Sequence, residues 1–452
     1  GRIIAITDPM GAATAYSYDA NGNLLSVTDA LGNVTAYEYD ALNRVTAEIA
    51  PNGGKIVYAY DCVGNLIETT DALGHTTTYS YDAAGNLIGM TDALGQAVGL
   101  EYDKNGRATT AIQKNGGVLA TAYDKAGRII SETDANKHTT RYRYGKTGLV
   151  SEITDALGQK ALFEYDALGN VTKITAPGNA VTQYAYDISG RLTMQTDATG
   201  LVTEYGYDEN SQLISVVPNG NESLYEYDAM GNVSSVTDAE GRCIKLSYNL
   251  NGNLTEIIYP DGTKDVTEYD ALGRVVQSTP RTGLATAYAY DESGNVVRMT
   301  QGEQTTAYEY DLLGRMVRQI AADGTETAYA YDALGNLVGQ TDELGNQTTF
   351  SYTAESLLEQ VTYANGASQS LSYDLAGNIT GETDAEGNAK QYQYDKANRL
   401  IAVVDELGGK TSYAYDAMDH IVQVTDALRH ATKCTYDKDG NLTSETDALG
   451  NR

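Results

Sequence analysis

Residues 79–96 read YSYDAAGNLIGMTDALGQ, and variants of this stretch fill the chain from one end to the other. The tyrosine before the first aspartate, Tyr81 here, recurs from Tyr18 to Tyr436 at intervals of 21 residues, apart from two intervals of 20. A fixed period of this length is the signature of a repeat protein, in which each unit packs on its neighbours. We therefore expect a single uninterrupted array of about 21 repeats over residues 1–452.

Each repeat contains two Asp-x-x-Gly sequences, separated by short stretches rich in Thr, Tyr, Val, Leu and Ile. We call the one that follows the Tyr-Asp pair the first turn and the one that follows a threonine the second turn. The aspartate can accept hydrogen bonds from the amides of its own turn, and the glycine tolerates the positive φ that a type I turn followed by a bulge requires. The turn residues that represent this pattern are Asp19, Gly22, Asp29, Gly32, Asp82, Gly85, Asp92 and Gly95.

Strands of six or seven residues joined by such tight turns must be antiparallel, because a parallel neighbour needs a much longer crossover. The pattern predicts an all-β fold, a continuous antiparallel array of β-hairpins with two strands per repeat. Two hairpin turns of equal length would give an even period, so the odd period indicates turns of different parity or a bulge in every repeat. Either device adds twist, which favours a spiral shell or an elongated hollow rod.

The two 20-residue repeats are both shortened at the second turn. The segments 217–220 (VPNG) and 300–302 (TQG) stand there in place of the usual TDALG. Deletions concentrate in turns, so both repeats fit the hairpin interpretation.

The aromatic residues are confined to the first strand of each repeat. Of 38 aromatic residues, 36 occupy the Tyr-Asp tyrosine or the slot two positions earlier, where Phe163 and Phe350 also lie. Residues two apart share a strand face, so we expect the rings to form ladders that stabilise the sheet, rather than a ligand platform. The ladder residues are Tyr16, Tyr18, Tyr37, Tyr39, Tyr58, Tyr60, Tyr79, Tyr81, Tyr184, Tyr186, Tyr205, Tyr207, Tyr288, Tyr290, Tyr329, Tyr331, Tyr392, Tyr394, Tyr413 and Tyr415.

Charge and hydropathy exclude two kinds of partner. Asp and Glu number 61 against 31 Lys and Arg, a formal charge of -30, which would repel nucleic acid phosphates. No apolar run is long enough for membrane insertion by this segment. The first residues resemble neither an initiator methionine nor a signal peptide, so we expect a fragment of a larger protein.

Residues that could carry chemistry are scarce. The sequence has no GxSxG, HExxH, phosphate-binding or dinucleotide motif, so we expect no enzyme, no catalytic residue and no cofactor. Three cysteines lie far apart. Of the four histidines, His420 follows a first turn, whereas the other three share one position directly after the second turn, which we interpret as a solvent-exposed turn substitution: His75, His138 and His430. Residues 19–23 and 437–441 offer several oxygen ligands for Ca²⁺, but most other copies lack the second ligand, so we attribute the aspartates to turn formation.

The YDAxGNL and TDALGN sequences at this period resemble the YD or RHS repeats, over essentially the whole chain. That family includes bacterial Rhs proteins, wall-associated polymorphic toxins, the C components of insecticidal Tc toxins, and teneurins. The resemblance implies a spiralling β-sheet wound into a hollow shell. The DPxGL self-cleavage block of the toxin shells has no counterpart here, because residues 8–11 (DPMG) occupy an ordinary second turn.

The resemblance implies a structural scaffold or shell, secreted or displayed on a bacterial surface, with an enclosed toxin domain that is absent from this chain. The alternative is an extracellular adhesin or filament that binds glycans or other copies of itself. The expected partners of a shell are a toxin domain or a flanking cap of the same precursor, and those of an adhesin or filament are glycans or further copies of the chain. We call the tyrosine of the Tyr-Asp pair the YD tyrosine, and we call the position two residues before it the earlier tyrosine slot.

Overall fold

A computed structural model describes the protein over all of residues 1–452. The fold is all-β: 43 strands form one sheet, and each strand pairs antiparallel with the next strand of the chain. This confirms the predicted array of two strands per repeat. There is no α-helix, only one 3-10 turn at Pro177–Asn179. No helix has the length and apolar character that a membrane crossing requires.

The strands are of two kinds, which alternate along the chain. The 21 even-numbered strands carry the tyrosine slots, and each ends at a YD tyrosine. They are β2 Ala13–Tyr18, β4 Val34–Tyr39, β6 Lys55–Tyr60, β8 Thr76–Tyr81, β10 Ala97–Tyr102, β12 Val118–Tyr123, β14 Thr139–Tyr144, β16 Lys160–Tyr165, β18 Val181–Tyr186, β20 Val202–Tyr207, β22 Ser223–Tyr227, β24 Cys243–Tyr248, β26 Lys264–Tyr269, β28 Thr286–Tyr290, β30 Gln304–Tyr310, β32 Glu326–Tyr331, β34 Gln347–Tyr352, β36 Ser368–Tyr373, β38 Ala389–Tyr394, β40 Lys410–Tyr415 and β42 Ala431–Tyr436.

The odd-numbered strands follow the first turns and lead to the second turns. They are β1 Ala5–Thr7, β3 Leu24–Thr28, β5 Val45–Ile49, β7 Leu66–Thr70, β9 Leu87–Thr91, β11 Ala108–Ile112, β13 Ile129–Thr133, β15 Val150–Thr154, β17 Val171–Thr175, β19 Leu192–Thr196, β21 Leu213–Pro218, β23 Val233–Thr237, β25 Leu254–Ile258, β27 Val275–Thr279, β29 Val296–Gln301, β31 Met316–Ile320, β33 Leu337–Thr341, β35 Leu358–Thr362, β37 Ile379–Thr383, β39 Leu400–Val404, β41 Ile421–Thr425 and β43 Leu442–Thr446.

The odd period comes from a β-bulge next to the YD tyrosine. In the hairpin of β2 and β3, Ser17 pairs with Ser26 but Tyr18 pairs with Leu24, so β3 holds one extra residue. The same shift recurs in the corresponding hairpins along the array. The hairpin of β3 and β4 has no such shift. Of the two devices that the odd period allows, the sheet uses the bulge.

The two shortened repeats turn on two-residue loops, in agreement with the interpretation of their sequences. Asn219 and Gly220 have φ of 48° and 83°, the pair of positive values that a type I′ turn needs. In the other short repeat, Gln301 pairs directly with Gln304 across the loop.

The sheet is one layer thick and has little core. The buried apolar residues are all alanines, and no large side chain is fully buried. In β2, Thr14, Tyr16 and Tyr18 on one face are half-buried, whereas the alternate residues are exposed. We call the first the tyrosine face. The opposite face carries cross-strand ion pairs, such as Lys173 with Glu164 at 2.8 Å.

Chain contacts divide the array into two units. The first unit comprises Gly1–Ala97 and Ser223–Thr349, and the second comprises Val98–Glu222 and Phe350–Arg452. Each unit therefore contains two stretches of repeats that are remote in sequence.

Candidate functional site

The first turns are closed by their aspartates. Asp19 accepts the amide of Gly22 on its carbonyl at 3.2 Å, and its Oδ1 accepts the amides of Gly22 and Asn23 at 2.7 and 2.8 Å. Gly22 has a φ of 98°, a conformation that favours glycine. Asp82 and Gly85 repeat the arrangement, with the Asp82 Oδ1 bound to the amides of Ala84 and Asn86.

The second turns have the same geometry. The Asp29 Oδ1 accepts the amides of Leu31 and Asn33, both at 2.9 Å, and Gly32 has a φ of 89°. The Asp92 Oδ1 accepts the amides of Leu94 and Gln96, and Gly95 has a φ of 78°. Each Oδ1 atom described here accepts amides of its own turn, which gives these aspartates a local structural role.

Hydrogen bonds lower the pKa of many turn aspartates. In Asp82, the side chain and then the backbone amide of Asn86 donate to the carboxylate and hold its pKa below the ordinary value of 3.8. Asp166 is affected in the same way, chiefly by the Asn170 side chain. Because each bond favours the ionised form, the turns are built around carboxylates that stay charged at neutral pH.

The YD tyrosines bind the preceding repeat through their hydroxyls. The Tyr39 hydroxyl donates to the carbonyl of Leu24 at 2.8 Å, and the Tyr165 hydroxyl donates to the carbonyl of Val150 at 2.8 Å. The register between β3 and β4 ends at Ser26, two residues short of Leu24. The hydroxyl therefore supplies a donor where the bulge has interrupted the ladder. The other ladder tyrosines that make this bond, to the residue 15 positions earlier or 14 for Tyr310, include Tyr18, Tyr60, Tyr81, Tyr186, Tyr207, Tyr290, Tyr310, Tyr331 and Tyr415.

The earlier tyrosine slot lies on the same face but pairs across the strand with a residue of the following odd-numbered strand. Tyr16 faces Val27, Tyr37 faces Glu48 and Tyr184 faces Gln195. Tyrosines of successive repeats are thus two strands apart, roughly 9–10 Å by ordinary strand spacing. The same register holds for Tyr58, Tyr79, Tyr205, Tyr288, Tyr329, Tyr392 and Tyr413.

Two glutamates on the tyrosine face bind tyrosines of this slot. The Tyr142 hydroxyl donates to the Glu132 carboxylate at 2.6 Å, and the Tyr392 hydroxyl donates to Glu382 at 2.6 Å. These bonds, reinforced by desolvation and the glutamate charge, raise the pKa of each tyrosine to about 12. Each pair is a polar contact between two neighbouring strands.

Arginines after some first turns link neighbouring repeats. The Arg274 Nε donates to Asp270 at 2.7 Å, and its guanidinium carbon lies 4.4 Å from the ring centre of Tyr290 in the next repeat. Arginines in the same slot lie over the following YD ring at Arg44, Arg107, Arg128, Arg191, Arg315 and Arg399. The sequence signal for this contact is an arginine 16 residues before a YD tyrosine, and the contact was not predicted from the sequence.

Within each unit, second turns of the N-terminal stretch contact first turns of the C-terminal stretch. We call this contact the seam. In the second unit, the Asn136 side chain donates to Asp374 at 2.9 Å, and the Asn398 side chain donates to Asp134 at 3.2 Å. Farther along the seam, Asp439 accepts the amides of residues 198 and 199.

The first unit has an equivalent seam. The Asn251 side chain donates to Asp8 at 2.6 Å, and Asn52 donates to the carbonyl of Leu312 at 3.4 Å. A recess of about 300 Å³ lies beside this second contact, and Glu48 is its only titratable lining residue. The recess therefore offers no acid–base pair.

Each histidine ring lies against the aspartate of its own turn, and all but His138 are hydrogen-bonded to it. Nδ1 lies 2.9–3.3 Å from the carboxylate in His75, His138, His420 and His430. Of the three histidines in the shared position, only His430 is largely exposed, so the interpretation of that position as solvent-exposed is wrong for His75 and His138. They are half-buried because the ring lies against the turn that it closes, and His420 also stacks on Tyr436. No group of three or more His, Cys, Asp or Glu side chains is arranged to hold a metal, and the three cysteines are free.

A sheet of Asp-x-x-Gly hairpins, with a recurrent bulge and, in most repeats, a bound tyrosine, defines a structural Tyr-Asp repeat protein. The Teneurin YD-shell family matches residues 67–224, 180–268 and 211–364, which is more than half of the chain. The RHS Repeat family matches residues 1–29, 18–55, 357–389, 373–409 and 394–431. The chain belongs to the YD-shell family of RHS-type repeat proteins.

Solved structures with the same fold are components of Tc toxins. The crystal structure of TcdB2-TccC3-Cdc42 is 16% identical, with 97% of this chain and 27% of that chain covered and a TM-score of 0.57. TcdB2-TccC3 without its hypervariable C-terminal region is 14% identical, with 97% and 30% covered and a TM-score of 0.52. The Tc holotoxin pore of Photorhabdus luminescens is 14% identical, with 97% of this chain and 29% of that chain covered and a TM-score of 0.51.

The chain spans less than a third of each of these three structures. At such identity the likeness establishes the fold, that of an RHS shell. A search of curated proteins found no significant match.

Proposed function

We propose that residues 1–452 act as one continuous wall, the structural scaffold or shell of a secreted or surface-displayed bacterial protein. The observation that carries this proposal is the single-layered sheet, in which no large side chain is fully buried. An enzyme or a small binding domain places its apolar side chains in a core between layers. A sheet of one layer, in which each hairpin is closed by its own turn, is instead suited to form a wall.

The content that we propose for the shell is a toxin domain of the same precursor. Support comes from the shared fold of the Tc toxin components, one of which was solved without its hypervariable C-terminal region. The tyrosine face offers half-buried rings and few charges, whereas the opposite face carries ion pairs. A protein cargo would meet the sheet through one of these two chemically different faces.

Electron cryomicroscopy of the purified chain tests the shell. We expect particles with a wall one sheet thick around a solvent-filled interior. A solid particle, with both sheet faces covered by protein, would overturn the proposal. A rod or polymer that encloses no interior would instead support the alternative, an adhesin or filament.

Sequencing the gene beyond the codon for Arg452 tests the cargo separately. We expect a DPxGL block followed by a domain outside the repeat. A stop codon, or repeats that continue without such a domain, would remove the toxin cargo and leave the wall intact.

A further inference from the structure

Three lysines form a row along one edge of the second unit. Lys104, Lys125 and Lys146 occupy the same first-turn position in three consecutive repeats, directly after Asp103, Asp124 and Gly145. All three are exposed, and none takes part in an ion pair. Their turns are two strands apart, so neighbouring lysines are separated by roughly 9–10 Å.

The row stands out against the charge of the whole chain. Residues 103–146 contain nine Lys or Arg against four Asp or Glu, in a protein with a formal charge of -30. The third turn has Gly145 where the aspartate normally lies, which removes one carboxylate from the row. At the first-turn edge itself, Lys and Arg also outnumber Asp and Glu, five against two: Lys104, Arg107, Lys125, Arg128 and Lys146 against Asp103 and Asp124. This edge is therefore a local positive strip on an acidic molecule, and it suits an acidic partner.

The seam shows what binds a first-turn edge in this fold, namely the second turns of another stretch of repeats. In the second unit, the turn at 134–137 meets the turn at 374–377 through Asn136 and Asp374. The turn at 113–116 likewise meets the turn at 353–356, where Glu355 accepts the amide of Asn115 at 2.9 Å. Asn115 also donates to the carbonyl of Leu375, and Asn398 donates to Asp134, so each of these second turns lies between two consecutive first turns of the other stretch.

Following the strands outward from the seam leads to the two outer edges of this unit. The strand β13 joins the turn of Lys125 to the seam, and β37 continues from the seam to the second turn at 384–387. That far turn carries Glu386, which is exposed. In the next repeat along, the turn of Lys146 lies at one edge, and the second turn at 405–408 lies at the other with exposed Glu406.

We propose that the lysine row binds the second turns at 384–387 and 405–408 of a second copy of this chain, in a continuation of the seam. A copy displaced along the strand direction, with the same orientation, sets these two turns between the lysine turns, as in the seam, so that Asp384, Glu386, Asp405 and Glu406 face the row of Lys104, Lys125 and Lys146. The contact joins two different surfaces, so it is heterologous and propagates into an open stack. It involves only outer edges and does not depend on what the shell encloses.

Sedimentation velocity over a concentration series tests the stack. At about 0.1 M salt, repulsion beyond roughly 10 Å is screened, so the net charge opposes association little and facing side chains still attract. We expect association at this salt concentration and its loss at about 1 M, where the screening length is about 3 Å. A chain that stays monomeric at every concentration would refute the proposal, and the edges would then belong to other repeats or another partner.

Charge-reversal variants test the surfaces. K104E/K125E/K146E and E386K/E406K should each abolish self-association, and mixing the two should restore it, because the reversed charges are again complementary. The control K245E/R298E/K433E changes the net charge equally on strands away from the turn edges, and it should still associate. Equal loss of association in this control would show that net charge is responsible. If both charge-reversal variants keep their β-sheet circular dichroism but their mixture does not associate, the proposed pairing is refuted.

Discussion

The hydroxyl of the YD tyrosine has a role that a phenyl ring cannot take over. It binds a carbonyl of the preceding repeat, as Tyr165 binds Val150. Both phenylalanines, Phe163 and Phe350, occupy the earlier slot, and none occupies the YD slot. The distribution of the two residue types therefore follows the hydrogen bonds.

Replacing Tyr165 by phenylalanine should weaken the link between two repeats. The loss of one half-buried hydrogen bond costs about 1 kcal/mol, which corresponds to roughly fivefold faster opening of the local structure. Amide hydrogen exchange in β15 and β16 measures this change. The matched control is Tyr205→Phe in the earlier slot, where no hydroxyl bond forms, and equal acceleration by both variants would contradict the assignment.

The bond between Tyr142 and Glu132 should be visible in the titration of the tyrosine. Glu132→Gln removes the charge, so the pKa of Tyr142 should fall from about 12 towards 10. Tyr392, whose partner Glu382 is unchanged, should keep a pKa of about 12 and serve as the internal control. Carbon-13 NMR of the tyrosine ring carbons follows both.

The sign of the Tyr142 effect on stability follows from its raised pKa. The folded state favours the neutral phenol, so this stabilisation is complete below about pH 10 and is lost as the pH rises towards 12. A Tyr142 pKa that is unchanged in Glu132→Gln would contradict the hydrogen bond.

At the scale of strands and hairpins, most of the fold follows from local chemistry. Asp19 and Gly22 encode a turn because the carboxylate and the positive φ each satisfy a local requirement, so the turn is legible from four residues. The odd period predicted either a bulge or turns of unequal parity. It could not decide between these two devices, because the choice depends on strand pairing across the hairpin. The link from Arg274 to Tyr290 was missed because a side chain that reaches the next repeat gives no periodic hydrophobic signal.

The arginine slot allows a graded test. Arg274→Asn should keep the turn bond, because Asn295 in the same slot donates to Asp291 at 2.9 Å. It should lose the cation–π contact with Tyr290, a cost of about 0.5–2 kcal/mol. Arg274→Ala should lose both and cost about 1 kcal/mol more. Hydrogen exchange in β27 and β28 measures the loss of local stability in each variant, which should be smaller for asparagine than for alanine. Equal losses in the two variants would contradict this expectation.

At the scale of the whole molecule, the seam contacts could not be predicted from the sequence. Asn136 and Asp374 are far apart in the chain, and their meeting depends on twist accumulated over many repeats. A small error in twist per strand, multiplied along the array, would bring different turns together. The turn sequences give no sign of the seam either, since the same Asp-x-x-Gly pattern occurs at turns inside and outside it.

Acid should unfold the array through its turns. The hydrogen bonds of Asp82, Asp166 and many equivalent aspartates depress the pKa in the folded state below 3.8. Such groups contribute stability above their ordinary pKa, and that stability is lost as the pH falls through the folded-state values. The β-sheet circular dichroism should therefore persist to about pH 4 and be lost below it, cooperatively because repeats with such aspartates occur along the whole array.

Two further measurements separate this cause from general charge repulsion. Added salt screens repulsion between exposed charges but leaves short hydrogen bonds in place, so the acid midpoint should move little with salt. Asp228→Asn should make its own turn less sensitive to acid, because Asn249 closes an ordinary first turn with a side chain that does not titrate. A midpoint that follows salt closely, or a sheet that is intact at pH 2, would show that the turn carboxylates do not control acid stability.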